Sequence, residues 1–174
     1  GEVVAVEPRL HPSGRNLPSV VIKPDGDDTW IEGLQKGDPE SLAADDIKDR
    51  LRDAGIVGMG GATFPAHVKL SPPEEKPIDT LIINGVECEP YLTADHRLML
   101  EEPDRVLQGV DILKKVLGVE TAYIGIEANK PDAIELLSEK CAGRGIEVVP
   151  LEVKYPQGAE KQLILAIAGR EVPS

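Results

Sequence analysis

Aromatic residues and long apolar runs are scarce in this 174-residue sequence, and each shortage excludes a class of structure. With one Trp, one Phe and three Tyr residues, the core must be built from Val, Ile, Leu and Ala, which favours a layered α/β fold. No run of about 20 apolar residues is present, so the sequence predicts no membrane-spanning helix. Its first residues also lack the pattern of a signal peptide.

Positive charge and metal ligands are equally limited. The 19 Lys and Arg residues against 31 Asp and Glu give a formal net charge of -12, which argues against binding to nucleic acid or to an anionic lipid surface. Cys88 and Cys141 lie far apart and the histidines are scattered, so we predict no metal site or iron–sulfur cluster in this segment. An anionic ligand would have to be held by backbone amides and one or two lysines.

What the sequence does contain is a glycine-rich stretch at residues 55–69. Gly58, Gly60 and Gly61 lie between an amphipathic helix and a turn at Phe64, and glycine serves where the backbone takes φ > 0 or closely approaches a ligand. The spacing differs from the dinucleotide fingerprint G-x-G-x-x-G, and no strand precedes it, so that motif is not assigned. The stretch fits either an ordinary connecting loop or a backbone on which a phosphate or flavin ring lies.

The distribution of prolines and apolar residues divides the chain into two domains. In residues 1–37, short Val and Ile runs are interrupted by proline and glycine, which predicts short strands at the end of a small β domain. Residues 38–174 are predicted to form an α/β domain. We expect this domain to be truncated at its C-terminal side, because the sequence has the character of a piece of a longer protein.

Alternating strand and helix patterns make the second domain a Rossmann-like parallel sheet with flanking helices. Short apolar runs predict buried strands at residues 80–83, 122–126 and 146–151. Amphipathic stretches predict helices over residues 38–54, 103–117, 129–141 and about 159–168. In the first of these helices, Asp38 is the expected cap and Gly55 the expected end.

Polar loops follow each predicted strand, at residues 84–91, 127–130 and 154–158. Because ligands of open parallel sheets bind beyond the carboxyl ends of the strands, we expect these loops to form one crevice. Asn84, directly after a buried strand, offers amide donor and acceptor groups suited to the edge of a heterocycle. Glu87 and Glu89 fit either such a site or ordinary solvated positions.

Several of these stretches, in the same order along the chain, resemble the RnfC family of the Rnf electron transport complexes. The resemblance rests on residues 55–69, 81–99, 123–127, 129–131, 154–158 and 161–163. The chain is similar, more distantly, to the flavoprotein subunit of respiratory complex I, which binds FMN and NADH in a related domain. The resemblance implies a bacterial, NADH-linked, FMN-binding subunit of a membrane-bound NAD:ferredoxin oxidoreductase coupled to ion transport.

The same resemblance implies a location, partners and site residues. The subunit would lie peripherally on the cytoplasmic side of the inner membrane, against the other Rnf subunits, with ferredoxin as an indirect partner. The positions implied to bind FMN are Gly58, Gly60, Gly61, Lys69, Asn84, Glu87, Tyr155 and Gly158. Phe64 and Glu89 are implied to contact NADH.

The implied reaction is hydride transfer from NADH to FMN, followed by one-electron steps to two [4Fe-4S] clusters. The cysteine-rich part that holds these clusters in the family is absent from this sequence. Because the cofactor supplies the reactivity, no acid or base residue is assigned to catalysis.

Two positions depart from the complex I flavoprotein. That protein has adjacent acids where this chain has Ala159 and Glu160, and it has an acid in place of Val86. Two alternatives remain beside the Rnf interpretation: a cobalamin reductase-type flavoprotein of the same family, which also resembles RnfC, or a non-catalytic assembly domain that docks to membrane subunits, which the truncated site and the low aromatic content favour.

Overall fold

The structure is a computed structural model that describes residues 1–27, 29–32, 37–60 and 62–172. It consists of two compact units, Gly1–Gly37 and Asp38–Ser174. In the first unit, β1 (Glu2–Leu10) pairs with β2 (Asn16–Lys23) in an antiparallel hairpin. The short strands predicted for this part of the chain are therefore confirmed as a hairpin.

The second unit is built around a three-stranded parallel sheet in the spatial order β3-β4-β5. The strands are β3 (Thr80–Gly85), β4 (Thr121–Glu127) and β5 (Ile146–Leu151). The α-helices of the described residues are α1 (Ala44–Asp53), α2 (Ala66–Lys69), α3 (Ala94–Glu101), α4 (Pro103–Leu117), α5 (Pro131–Lys140) and α6 (Glu160–Ala168). The predicted parallel α/β fold is confirmed, and each predicted strand overlaps an observed one.

Helices cover both faces of this sheet. On one face α4 and α5 bury Leu107 and Leu137 against Ile124 and Ile126 of the central strand, and all four side chains are almost completely buried. A strand with apolar residues on both faces has to be covered on both. The two crossover connections, from β3 to β4 and from β4 to β5, lie on this face.

The other face of the sheet is covered by α6. Gly125 in β4 lies beneath this helix, and a Cβ atom at Gly125 would lie 3.0 Å from side-chain atoms of Leu151, Leu163 and Ile167. The missing side chain therefore allows α6 to pack closely on the central strand. Helix α6 begins at Glu160, two residues after Gly158, whose carbonyl oxygen is bonded to Asn84 near the carboxyl end of β3.

The segment that carries the glycine-rich stretch packs against α4. Ile47 of α1 and Leu70, which follows α2, are buried against Val116 of α4, with Leu51 partly buried beside them. This contact fixes α1 and α2 to the outer surface of the helical layer. The loop between α1 and α2 is thereby held at both ends.

The predicted helix over residues 38–54 is wrong at its start. Asp38 does act as a cap, but its Oδ1 accepts a hydrogen bond from the Glu40 N–H at 3.0 Å and caps only a 3₁₀ turn over Pro39–Ser41. The backbone at Leu42 is extended, so the 3₁₀ turn does not continue into a helix, and α1 begins separately at Ala44. The predicted end at Gly55 is confirmed, with φ of 66°.

Helix α3 was not predicted, because most of its sequence was considered only within the stretch at residues 81–99 that carries the family resemblance. The predicted start of α4 at Pro103 and its end at Gly118, where φ is 68°, are confirmed. Within the described residues, no helix combines the length and the apolar character that crossing a membrane requires.

Candidate functional site

The carboxyl ends of the three parallel strands open into a single groove of about 350 Å³. Its walls are residues 87–92 after β3, residues 127, 129 and 130 after β4, and residues 153–155 after β5. The crevice predicted from the three polar loops is therefore confirmed. A second cavity of about 430 Å³ lies at the amino edge of the sheet beside α5 and contains none of the predicted site residues.

Asn84 ties the loop after β3 to the loop after β5. Its Nδ2 donates to the carbonyl oxygen of Gly158 at 2.8 Å, and its Oδ1 accepts from the N–H of Val86 at 3.1 Å. The N–H of Gly158 points at Cys88 Sγ, 3.4 Å away. A Cβ atom at Gly158 would lie only 2.8 Å from the carbonyl oxygen of Val86. Asn84 and Gly158 thus hold two walls of the groove together.

Glu87 anchors the start of α3. Its carboxylate, in a side chain that is only 8% exposed, accepts hydrogen bonds from the backbone N–H groups of Asp95 at 2.8 Å and His96 at 3.1 Å. Unpaired N–H groups at a helix start favour such a carboxylate. Burial raises the pKa of the nearby Asp95 carboxyl, and the charge of Glu87 raises it further. Glu89, two residues on, is exposed at the groove.

A second contact holds α3 against α5. His96 Nε2 lies 2.8 Å from Asp132 Oδ1 near the start of α5. The hydrogen bond from His96 lowers the pKa of the Asp132 carboxyl. The loop after β3 is thus fixed to its neighbours at both ends, by Asn84 at the sheet and by α3 at the helical layer.

A buried ion pair lies in the groove after β4. Lys130 Nζ is 3.2 Å from Glu127 Oε2 and 3.3 Å from Asn129 Oδ1, and the charged side chains are only 7% and 3% exposed. The sequence pointed to this loop but not to the ion pair, because alternation of elements does not reveal how deeply a loop lysine is buried. The one available signal was a Glu placed directly after an apolar strand.

The glycine-rich loop closes only at its base. Val57 and Pro65 form an isolated antiparallel bridge, and the Gly58 N–H donates to the carbonyl oxygen of Phe64 at 2.8 Å. Beyond this bridge Met59 is almost fully exposed. No hydrogen bond described for residues 55–60 and 62–69 reaches the groove loops.

The described glycines of this loop are not required by its own packing. A Cβ atom at Gly58 would meet only the Phe64 carbonyl oxygen, at an ordinary 3.7 Å, and a Cβ at Gly60 would meet nothing within 4 Å. Neither residue has φ in the left-handed region. Gly61 lies outside the described residues. The open backbone at Gly58 and Gly60 therefore leaves room for the close approach of a flat cofactor or a phosphate.

The remaining predicted site residues carry exposed side chains. Phe64 is 51% exposed beside the glycine loop, and Lys69 is exposed on α2. Tyr155 is 72% exposed at the groove. Tyr91, which the sequence did not single out, also lines the groove and is fully exposed. A sequence with five aromatic residues thus places two of them at one groove.

These features fit a flavin nucleotide. The groove has polar walls and aromatic side chains, and the glycine loop has unhindered backbone to which a ring or phosphate can come close. The exposed ammonium of Lys69 lies at the end of the glycine-rich stretch and carries the charge that an anionic group requires.

Two known proteins have sequences similar to this chain over its whole length. The chain is 51% identical over 175 residues to the C subunit of the proton-translocating ferredoxin:NAD(+) oxidoreductase complex of Clostridium ljungdahlii. It is 53% identical over 176 residues to the C subunit of the Na(+)-translocating ferredoxin:NAD(+) oxidoreductase complex of Acetobacterium woodii. Each match covers 100% of this chain, and 38% and 40% of the respective relative. The chain thus spans about two-fifths of the length of these relatives, and the resemblance to the RnfC family is confirmed.

A solved structure and a family match agree with this result. The NAD+-reducing [NiFe]-hydrogenase in its air-oxidized state superposes with a TM-score of 0.63 at 25% identity, over 73% of this chain and 24% of that one. Residues 51–174 match the family described as the Nuo51 FMN-binding domain. That match covers the parallel sheet, the groove and the glycine-rich loop, and the chain therefore belongs to the Nuo51 FMN-binding domain family.

Proposed function

We propose that this chain is the FMN-binding part of an RnfC-type subunit, which accepts electrons from NADH in an ion-translocating ferredoxin:NAD+ oxidoreductase. The observation that carries the proposal is the convergence of three polar loops on one groove at the carboxyl edge of the sheet. Membership of the Nuo51 FMN-binding domain family and 51–53% identity to two such subunits support it.

Two kinds of element would share the binding of FMN. The groove loops, fixed by Asn84, Glu87 and Gly158, supply a rigid wall with Tyr155 on it. The glycine-rich loop supplies backbone that the cofactor approaches closely at Gly58, Gly60 and Gly61, with Lys69 stabilising negative charge. When bound, FMN supplies the hydride chemistry that no side chain here can perform.

NADH would be held by side chains that the structure leaves exposed. Phe64 offers an aromatic face on which a nicotinamide ring can pack. Glu89 offers a carboxylate that can accept a hydrogen bond from a ribose hydroxyl or a carboxamide. The Glu89 carboxylate takes part in no hydrogen bond within the described part of the chain.

The remaining functions of the complex would belong to other parts of the protein. The relatives are more than twice as long as this chain, and we assign the two [4Fe-4S] clusters to the segment beyond it. We also assign the contacts with membrane subunits to the assembled complex, with this domain peripheral on its cytoplasmic side and ferredoxin an indirect partner.

Titration of the flavin-free, full-length subunit with FMN tests the proposal. We expect saturable quenching of flavin fluorescence, a rise in Tm on binding, and NADH-dependent bleaching of the bound flavin. The 174-residue chain is titrated beside it, and weaker binding there would show that the rest of the subunit completes the site.

Two outcomes would contradict the proposal. A full-length subunit that shows neither quenching nor a thermal shift is a non-catalytic assembly domain. A subunit that binds FMN but, once reduced with NADH, passes electrons to cob(II)alamin and not to ferredoxin is a cobalamin reductase-type flavoprotein.

A further inference from the structure

The loop after β3 contains a residue in a backbone conformation that its side chain disfavours. Residues 89–92 form a β-turn in which the Leu92 N–H donates to the Glu89 carbonyl oxygen at 3.4 Å. Pro90 occupies the second position and Tyr91, with φ of 70°, the third. This is the pattern of a type II turn, whose third position normally takes glycine because positive φ is required there.

The fold does not compensate for the strain at Tyr91. Its side chain is fully exposed, so it gains nothing from burial, and none of the hydrogen bonds described for the chain involves its hydroxyl. Glycine or asparagine would adopt the same conformation at lower cost. Residues held in disfavoured backbone regions cluster at active sites and ligand-binding sites.

The position of Tyr91 shows what its ring can contact. Tyr91 lines the groove at the carboxyl edge together with Tyr155, which comes from the loop after β5. The walls around Tyr91 carry the polar side chains of Glu89 and Lys154 and the half-exposed apolar side chains of Leu92 and Val153, and the Tyr91 ring remains fully exposed among them. A flat conjugated ring packs well on such an exposed tyrosine face. Because the turn fixes the backbone of Tyr91, contact with such a ring orders few additional torsions.

We propose that Tyr91 is a ligand-contacting residue whose ring stacks on the flat conjugated ring of the redox ligand in this groove. The proposal rests on the function proposed above and adds a residue that neither the sequence patterns nor the family resemblance assigned. Two ligands offer the required chemistry, the isoalloxazine of FMN and the nicotinamide of NADH.

Three variants of the full-length subunit test the proposal: Tyr91→Gly, Tyr91→Asn and the matched control Tyr91→Phe. The glycine and asparagine variants accept positive φ, so their Tm should equal or exceed that of the wild type. Their affinity for the stacked ligand should fall about fivefold to tenfold, as expected for loss of one aromatic stacking contact. The phenylalanine variant keeps the ring, so its affinity should stay within about twofold.

Two measurements identify the ligand. The Kd for FMN is taken from fluorescence quenching of the flavin-free subunit, and the KM for NADH from steady-state oxidation at saturating FMN. A change in Kd alone places the isoalloxazine on Tyr91, and a change in KM alone places the nicotinamide there. Either result supports the proposal.

Three results would overturn it: both constants unchanged in the glycine and asparagine variants, a loss in the phenylalanine variant as large as in the glycine variant, or a marked fall in Tm in both the glycine and asparagine variants. In each of these cases a wild type that binds FMN and oxidises NADH leaves the proposed function intact. A wild type that does neither overturns the proposed function and this inference with it.

Discussion

The groove loops and the glycine-rich loop both contain glycine, but the protein uses that glycine in opposite ways. At the groove, Gly158 is enclosed: its carbonyl and N–H are bonded, and an added Cβ would collide with the Val86 carbonyl oxygen at 2.8 Å. In the glycine-rich loop, an added Cβ at Gly60 would meet nothing within 4 Å. The first glycine is explained by the fold, and the second is not.

This difference distinguishes a glycine that the packing of the fold requires from a glycine that remains available to contact a ligand. A glycine whose missing side chain makes room for another part of the protein contributes to stability, and its replacement unfolds or strains the chain. A glycine with free space around it and ordinary φ has no such role. The backbone at Gly60 is therefore open to an external group, as the proposed contact with FMN requires.

The largest expected effect is the loss of stability on breaking the buried ion pair between Lys130 and Glu127 in the groove. Replacing Lys130 by Met leaves the Glu127 carboxylate buried without a partner, and we expect the free energy of unfolding to fall by about 3 kcal/mol. Chemical denaturation of the variant and the wild type measures this difference. The double variant Lys130→Met, Glu127→Leu should recover most of the loss, because no unpaired charge remains.

The same substitution at an exposed lysine is the matched control. Lys154 lies 3.0 Å from Glu152 on a wall of the same groove, but both side chains are more than half exposed. Lys154→Met should therefore cost less than about 0.5 kcal/mol. Equal losses at positions 130 and 154 would show that the groove is not held by its buried pair.

A smaller effect tests the contrast between the two glycines directly. Gly158→Ala forces a Cβ against the Val86 carbonyl oxygen and Cys88 Sγ, and we expect a loss of about 2 kcal/mol in unfolding free energy. Gly60→Ala, its matched control, should lose nothing and gain up to about 0.5 kcal/mol from the stiffer unfolded chain. Thermal and urea unfolding measure the change in unfolding free energy for each of the two variants. If Gly60→Ala were as destabilising as Gly158→Ala, the distinction between the two regions would be lost.

The smallest effect concerns the carboxylates at the start of α3 and α5. Burial, then the charge of Glu87, raises the pKa of Asp95 above its value in the unfolded chain. A carboxyl whose pKa is raised on folding adds to the free energy of unfolding only while it is protonated, which is fully the case below the unfolded pKa of about 4. This stabilisation is lost as the pH rises through the folded pKa. Asp95→Asn should therefore raise Tm slightly at pH 7, and the gain should vanish below about pH 4.

Asp132 is expected to change stability with pH in the direction opposite to Asp95. Its pKa is lowered, chiefly by the hydrogen bond from His96, so the Asp132 carboxylate adds to the free energy of unfolding above the unfolded pKa. That stabilisation is lost as the pH falls through the folded pKa. Asp132→Asn should lower Tm at pH 7, with the difference shrinking in acid. Thermal melts of both variants at pH 7 and below pH 4 check the two signs together.

The sequence predicted the sheet and its groove because these depend on local patterns. Apolar runs marked all three parallel strands, and Gly55 and Gly118 ended helices as their chemistry requires. The start of α1 was missed because Asp38 bonded within its own turn and left Leu42 extended. Capping chemistry alone does not determine whether a turn continues into a helix.

The site was predicted less completely because its contacts are not local. Asn84 was singled out for its amide, but no sequence pattern showed that this amide bonds Gly158, 74 residues away. The burial of Lys130 also depends on how separate loops meet, and the strained turn at Tyr91, although local, occurs at a residue type that rarely takes positive φ. A Glu-Pro-Tyr-Leu turn was readable in the sequence, but its positive φ at a tyrosine was not.

The flavin content of the full-length protein with Gly60→Val tests whether the glycine-rich loop contacts FMN. Because no atom of the described chain lies within 4 Å of the added Cβ, the flavin-free variant should melt at the wild-type temperature. We predict that its flavin occupancy, read from the flavin absorbance after release from the protein, falls about tenfold or more, as expected when a bulky side chain fills space that the ring requires. Gly60→Ala should show a smaller loss. A valine variant that purifies with a full complement of flavin would contradict the assignment of this loop to the cofactor.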